Sequence, residues 1–229
     1  MFALISIVNY KIRIMSKLVV RCFSISIDGY GAGPSQSLEN PMGLGGMGLH
    51  QWVFDTKSFR KMHGDGTGGQ EGIDNDFAEK GFENIGAWIL GRNMFGPIRG
   101  PWTSEDWKGW WGANPPYHTP VFVLTHYPRP PLAMEGGTVF HFVTDGIESA
   151  LERAKRASNG KDVRLGGGVS TFKEYLKRKL IDEIHLAVSP ILLGSGENLF
   201  ADINFDELGY HVESHVSSPL STHIRINRK

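Results

Sequence analysis

Short runs of aliphatic and β-branched residues recur along the chain and are separated by polar or glycine-rich segments, which is the pattern of a protein built around a sheet. The first run, Leu18 to Ile27, predicts a strand that ends at Asp28 and Gly29, two residues typical of turns. Shorter runs predict further strands at 87–90, 121–124, 138–143, 163–165 and 183–188. The last two runs, 210–216 and 223–227, predict an antiparallel pair.

Three segments between these runs carry apolar residues at helical spacing. Residues 51–63 predict one helix, with apolar side chains at Trp52, Val53, Phe59 and Met62. Residues 147–157 predict a second helix with Asp145 as its N-cap, and residues 169–179 predict a third. Strands that alternate with helices through short connections form a mostly parallel sheet with helices on both faces. We therefore predict a three-layer α/β/α fold with antiparallel edge strands at its C-terminal side.

The chain is predicted to form one domain over residues 17–229, because no repeat, linker or block of like charge divides it. Residues 1–16 begin with an apolar stretch, but Lys11 and Arg13 follow this stretch, whereas a signal peptide carries its charges before it. The stretch is also too short to span a bilayer. We expect residues 1–16 to be an extension outside the fold, and we expect no membrane partner.

Composition narrows the possible partners. The 24 Lys and Arg residues balance the 24 Asp and Glu residues, whereas nucleic-acid-binding proteins usually carry a basic excess, so no nucleic-acid partner is expected. The single cysteine, Cys22, excludes an intramolecular disulfide and is typical of a reducing compartment such as the cytoplasm. Cys22 lies in an apolar run, which favours a packed strand residue over a nucleophile. His211 and His215 would lie about 13 Å apart in a strand, too far for one metal ion, and no metal site is predicted.

The strongest chemical signal is the triple glycine Gly166 to Gly168, which joins the predicted strand KDVRL to the predicted helix VSTFKEYLKRKL. Glycines at such a turn let backbone N–H groups approach a ligand, and the N-terminus of the helix attracts an anion. Ser170 and Thr171 add hydroxyl donors. The turn is a candidate pyrophosphate cradle, although tight packing of helix on strand would also favour glycines here.

Other polar residues follow neighbouring strands where those strands end. Gly91, Arg92, Asn93 and Met94 follow the strand AWIL, and an arginine there either binds a phosphate in the crevice or lies in a surface turn. Two further polar pairs, Thr125-His126 and Thr144-Asp145, follow the next two strands. Because the carboxyl ends of parallel strands meet at one edge of the sheet, these residues together favour a nucleotide site.

A second glycine cluster, Gly43 to Gly48, matches the spacing G-x-G-x-x-G, but the segment SLENPM before it is not a strand. A dinucleotide fingerprint must follow a buried strand. We therefore interpret residues 43–48 as part of a loop.

Taken in order, several segments resemble the dihydrofolate reductase superfamily, and most closely the reductase domain of riboflavin biosynthesis and its stand-alone relatives. The resemblance covers roughly residues 17–228, and it depends on the segments SISIDGYGAGP, ILGRNMFGP, VFVLTHYPR, VRLGGGVSTFKEYL and IDEIHLAVSPILLGSGENLF. The deaminase domain of the bifunctional relatives needs P-C-x-x-C, which a chain with one cysteine lacks.

The resemblance implies an NADPH-dependent oxidoreductase that transfers a hydride to a small heterocyclic or ribosylamino-pyrimidine-like substrate. It implies that Arg92 and Asn93 hold the 2′-phosphate side of NADPH, with Thr125 and His126 nearby. The pyrophosphate would lie against Gly167, Gly168, Val169 and Ser170, with Gly166 and Thr171 beside them. The loop from Asp28 to Gly33 would approach the nicotinamide. The resemblance also implies a homodimer formed through the C-terminal strands.

Two acidic residues are candidates for catalysis. Asp55 and Phe59 are four residues apart on the predicted helix and would share one face. Dihydrofolate reductases carry a similar pair, whose acid contacts the pterin. Asp28 at the end of the first strand could orient the substrate. Each acid could instead be structural, Asp55 at a solvent-facing helix start and Asp28 in a turn.

The loop between residues 97 and 120 holds four tryptophans, Trp102, Trp107, Trp110 and Trp111. Flat aromatic rings of this kind either stack on a planar ligand or pack a subunit interface. Two alternatives to the reductase therefore remain: an NADP(H)-binding protein without turnover, and an interaction module that uses the Trp-rich loop.

Overall fold

The computed structural model describes residues 16–64, 68–96, 100–102, 104 and 106–229. The predicted extension over residues 1–16 therefore lies, apart from Ser16, outside the described residues. Across the described part of the chain, no helix is both long and apolar enough to cross a membrane.

One nine-stranded sheet forms the centre of the fold, in the order β4-β5-β3-β2-β6-β1-β7-β9-β8. Its strands are β1 (Leu18–Ser26), β2 (Ile85–Gly91), β3 (Pro120–Leu124), β4 (Leu132–Ala133), β5 (Val139–Val143), β6 (Asp162–Gly167), β7 (Glu183–Ser189), β8 (Tyr210–Ser217) and β9 (Thr222–Arg228). The six strands from β5 to β7 in this order pair in parallel. The strands β9 and β8 add antiparallel pairs, as predicted, and the short β4 adds another at the opposite edge, which the sequence pattern did not show.

The described helices cover both faces of the sheet. They are α1 (Gln51–Phe54), α2 (Lys57–Met62), α3 (Ile73–Lys80), α4 (Arg92–Phe95), α5 (Ile147–Ala157), α6 (Val169–Lys177) and α7 (Phe205–Leu208). Helices α5 and α6 bury their apolar stripes in the largest core, where Ala154 and Phe172 have no exposed surface. On the opposite face, Trp52 of α1 and Ala78 of α3 pack against Ala187 of β7. The predicted three-layer α/β/α fold is confirmed.

The prediction of one continuous helix over residues 51–63 was wrong. Helix α1 ends at Phe54, and α2 begins after Thr56, whose extended backbone and side-chain oxygen cap the N–H of Phe59. The chain near Gln70 pairs with the backbone at this break, because Gln70 N–H donates to the Asp55 carbonyl and the Gln70 carbonyl accepts from Lys57 N–H. A threonine that caps a helix competes with helix continuation, and the pairing segment stabilises the break.

The N-cap of α5 was also misplaced. Gly146 occupies the cap position with a φ of 99°, which favours glycine, and no side chain caps the helix. The Asp145 carboxylate instead accepts hydrogen bonds from Ser149 and Arg153, at 2.8 and 2.6 Å.

Candidate functional site

A cleft of about 1080 Å³ opens where the parallel strands end. Its lining includes Arg92 after β2, Thr125 after β3, Thr144 after β5 and Gly168 after β6. The polar strand ends therefore meet in one cleft, as the order of strands along the chain predicted. Apart from Gly167, the residues predicted to hold the cofactor all line it: Gly91, Arg92, Asn93, Met94, Thr125, His126, Gly166, Gly168, Val169, Ser170 and Thr171.

Arg92 presents an incompletely paired guanidinium. Its Nη1 donates to Thr125 Oγ1 at 3.2 Å, and the ring of Trp102 covers the group with 3.1 Å between the guanidinium carbon and the ring centre. Arg92 Nε and Nη2 are buried and have no hydrogen-bond partner. Burial, with a smaller contribution from Arg129, lowers the pKa of Arg92 to about 10, so the group keeps its charge at neutral pH. Charged N–H groups that are buried without an acceptor raise the free energy of the folded protein. An oxyanion that accepts hydrogen bonds from Arg92 Nε and Nη2 would lower it.

The triple-glycine turn lies beside Arg92. A Cβ atom on Gly91 would come within 2.2 Å of Thr171 Oγ1, so the end of β2 touches the first turn of α6. Gly168 is the N-cap of α6; no side chain caps this terminus, and a Cβ atom there would meet no protein atom within 4 Å. The first N–H groups of α6 have no partner within the helix, so they are available at the cleft. Among the described residues, no side chain fills the space in front of Gly168.

The other two glycines of the turn have packing roles. A Cβ atom on Gly166 would lie 2.5 Å from Leu90 Cδ2, and one on Gly167 would lie 3.0 Å from the ring of Phe23. Gly167 has a φ of 103°, a backbone conformation that favours glycine, and its peptide bond to Gly168 is cis. Gly166 and Gly167 therefore permit close packing of the helix on the strand, while Gly168 faces open space, and the pyrophosphate cradle stays a prediction.

Residues 17–224 match the family model of the RibD C-terminal domain. The chain belongs to this family. A match of 36% identity over 62 residues relates it to YyaP of Bacillus subtilis (strain 168); this match covers 27% of the chain and spans about a third (32%) of that relative.

Solved structures show the same fold as this RibD C-terminal domain. A protein of Shewanella sp. PV-4 named for riboflavin biosynthesis is 23% identical, with 94% of this chain and 99% of that chain covered and a TM-score of 0.58. The diaminohydroxyphosphoribosylaminopyrimidine deaminase/5-amino-6-(5-phosphoribosylamino)uracil reductase of Thermotoga maritima is 12% identical, with 94% and 57% covered and a TM-score of 0.50. The predicted family resemblance is confirmed.

The two acids predicted for catalysis in this RibD C-terminal domain are not among the residues that line the cleft. Asp55 is exposed at the break between α1 and α2 and pairs with Arg60 at 2.8 Å, so it does not share a helix face with Phe59, which does line the cleft. The Asp28 carboxylate accepts from the N–H groups of Leu193 and Gly194, at 3.1 and 2.7 Å. A hydrogen bond from Ser26 and these two N–H groups lower its pKa. Asp28 thus joins the first loop to the segment after β7.

The four tryptophans divide between packing and the cleft. The indole N–H groups of Trp102, Trp107 and Trp110 donate to main-chain oxygens, at 2.9, 2.8 and 3.4 Å. Trp110 and Trp111 line the cleft, whereas Trp102 and Trp107 pack beside Phe95. Trp110 and Trp111 are therefore the two tryptophans within reach of a ligand in the cleft.

Sequence reasoning missed several side chains of the cleft. The lining also includes His50, Phe54 and Phe59 from the segment around α1 and α2, and the carboxylate-bearing Glu197 from the loop after β7. Burial lowers the pKa of His50 to about 4, so its ring is neutral at pH 7. Spacing along the chain placed Phe59 on a helix but carried no signal that α2, the Trp-rich loop and residue 197 meet. Among the described residues, no group of three or more His, Cys, Asp or Glu side chains could hold a metal ion.

Proposed function

We propose that this RibD C-terminal domain is an NADPH-dependent reductase that acts in the cytoplasm on a small planar nitrogen heterocycle. The observation that carries the proposal is the pairing of Arg92, with two buried nitrogens that lack partners, and the open Gly168 turn within one cleft. Both features suit phosphate groups, and the contact between Gly91 and Thr171 brings them side by side.

NADPH fits the residues present at this end of the cleft. Arg92 and Thr125 would hold the 2′-phosphate, and the N-terminus of α6 with Gly168, Ser170 and Thr171 would hold the pyrophosphate. Arg92 Nε and Nη2 lie beneath the Trp-rich loop, so the Trp102 ring must shift before a phosphate reaches them. We therefore expect NADPH binding to change the fluorescence of Trp102.

NADPH, when bound, supplies a hydride, and the protein contributes binding and orientation. The cleft has a volume of about 1080 Å³, and we propose that it holds the cofactor together with a second, small planar ring. Aromatic side chains at the end away from Arg92 exclude water and give the ring a flat surface on which to stack. The two clusters of lining residues thus divide the cleft into a cofactor half, around Arg92 and Gly168, and a substrate half, around Phe54 and Phe59.

Titration with NADPH and NADH, followed by tryptophan fluorescence, tests the proposal. Arg92→Ala should weaken NADPH roughly 10- to 100-fold and change NADH binding little, because only NADPH carries the 2′-phosphate. Arg156→Ala is the matched control, since Arg156 lies exposed on α5 outside the cleft. Equal losses for the two cofactors in Arg92→Ala, or no binding of NADPH by the wild-type protein, would contradict the proposal.

Turnover separates a reductase from a protein that only binds NADP(H). The assay measures the oxidation of NADPH as a decrease in its absorbance, in the presence of pyrimidine and pterin imines as candidate substrates. Binding of NADPH without consumption across such a panel would favour the non-catalytic alternative.

A further inference from the structure

A continuous aromatic wall forms one side of the substrate half. Its members are His50, Phe54, Phe59, His63 and Trp111. Successive ring centres lie 6.4, 5.4, 4.2 and 5.5 Å apart. All except His63 line the cleft. The wall joins α1 and α2 to the Trp-rich loop, two segments about 50 residues apart in the chain, and offers a planar ligand a broad apolar face.

The charges of the cleft are unevenly distributed. Among the described residues that line it, Arg92 is the one Arg or Lys, and it directly follows Gly91, which approaches Thr171 of α6. Arg92 and the N-terminus of α6, the two features that attract an anion, therefore belong to the cofactor half. The Arg92 guanidinium contacts Thr125 and Trp102, neither of which is a member of the wall.

The cleft-lining side chains around the wall give a phosphate no cationic partner. His50 is half-buried and neutral, and Met42, Met47 and Val53 add to the apolar lining. Glu197 lines the same cleft. Its carbonyl accepts from Gly31 N–H and its N–H donates to the Ala32 carbonyl, each at 3.0 Å. A carboxylate repels a phosphate at short range, and a buried dianion without a cation is strongly disfavoured.

We infer that the substrate half selects a planar heterocycle that carries no phosphate group, through stacking on the aromatic wall and repulsion by Glu197. This inference rests on the proposed function, because it assumes that the cofactor occupies the anion-binding half. The inferred substrate differs from the one in the name of the Thermotoga maritima protein, which is a phosphoribosylamino-uracil and therefore carries a phosphate. The preceding reaction would have to deliver the heterocycle as a free base or a nucleoside-like compound, for example after removal of a phosphate by hydrolysis.

Riboflavin and riboflavin 5′-phosphate provide a matched pair of probes, because they share one planar ring and differ by a single phosphate. Each is titrated against the wild-type protein in saturating NADP⁺, which fills the cofactor half, and binding is followed by quenching of flavin fluorescence. We expect riboflavin to bind at least roughly tenfold more tightly than its phosphate. Equal or tighter binding of the phosphate would overturn the inference, and so would a failure of both probes to bind.

Variants identify the residues responsible. Phe59→Ala should weaken both probes together, since each loses the same stacking surface, while Phe82→Ala removes an aromatic ring outside the cleft and should leave both unchanged. Glu197→Gln and Met47→Lys should each raise the affinity for the phosphate several-fold relative to riboflavin. Unchanged ratios in both charge variants, with melting temperatures near that of the wild type, would count against selection by charge.

Failure of this inference is distinguishable from failure of the proposed function. Binding of NADP⁺ alone, followed by tryptophan fluorescence, reports on the cofactor half without either flavin. If NADP⁺ binds and the phosphate probe is preferred, the reductase proposal stands and the substrate class is wrong. If NADP⁺ does not bind, the cofactor assignment fails, whatever the preference between the probes.

Discussion

A buried chain of hydrogen bonds behind the cleft makes the stability of this protein dependent on pH. Cys22 N–H donates to His185 Nδ1 at 3.0 Å, His185 Nε2 lies 3.0 Å from His223 Nδ1, and His223 Nε2 lies 2.7 Å from Asp74 Oδ1. Because His185 Nδ1 accepts, its proton is on Nε2 and is donated to His223, whose own Nε2 proton is donated to Asp74. Each partner is satisfied when both imidazoles are neutral. An added proton on either ring would place two N–H groups face to face.

Burial is the main reason that these rings resist protonation. It lowers the pKa of His185 to about 3, with further lowering by His223, Arg164, Arg225 and Arg21. The pKa of His223 is also lowered by burial, although Asp74 opposes that shift. Cys22, the remaining titratable group in contact, has its thiol pKa raised by burial, with the nearby arginines opposing this.

The size of the effect follows from linkage. A histidine whose pKa is depressed in the folded state contributes stability above the unfolded pKa of about 6.5, and this is lost as the pH falls from there towards the folded value. Between pH 7 and pH 5 the unfolded chain takes up a proton at residue 185 while the folded protein does not. For His185 alone, the free energy of unfolding therefore falls by about 2 kcal/mol over this interval. His223 and His50 add losses of the same sign.

Urea unfolding at pH 7 and pH 5 measures this loss. In His185→Gln, where the amide keeps an acceptor for Cys22 and a donor for His223, the decrease between the two pH values should be about 2 kcal/mol smaller than in the wild type. The comparison is unaffected if the variant is less stable at both pH values. His211→Gln, on the exposed strand β8, is the control and should keep the wild-type pH dependence. Equal decreases in the wild type and His185→Gln would refute the reasoning.

Further predictions concern the turn, the two acids and the oligomeric state. Gly168→Ala should weaken NADPH binding without changing the melting temperature, because a Cβ atom there meets no protein atom. Gly91→Ala should lower the free energy of unfolding by about 1–3 kcal/mol through overpacking against Thr171. Equal free energies of unfolding for the two variants would contradict this. Asp55→Asn should leave NADPH affinity and turnover unchanged, and a large loss of turnover would restore its predicted catalytic role. Asp28→Ala should lower the melting temperature, because two backbone N–H groups lose their acceptor. We also propose a homodimer through β8, an edge strand exposed beyond its first residue; light scattering should then give about twice the 25.4 kDa chain mass, and a monomer would disprove it.

Local pattern determined much of the fold. The apolar runs predicted every strand of the sheet except the two-residue β4. An inner strand such as β2 is apolar along its length because it is buried on both faces, whereas β8 is exposed beyond its first residue. The stripes of α5 and α6 predicted helices because each helix buries one side in the core. The parallel order of the strands then placed Arg92, Thr125 and Gly168 at one edge of the sheet, since parallel strands end together.

Tertiary contacts decided what the pattern left open. The break at Thr56 depends on a segment 14 residues later that pairs with it, so Asp55 lies at the break and Phe59 lies on α2, although their spacing suits one helix. The aromatic wall exists because Trp111 reaches His63, and Glu197 enters the cleft because its backbone pairs with Gly31. Hydrophobic periodicity indicates which side of a helix or strand is buried, but it does not indicate which distant helix, strand or loop that side packs against. The positions of the groups proposed to bind phosphate therefore followed from the sequence, whereas the shape and charge of the proposed substrate half required the folded structure.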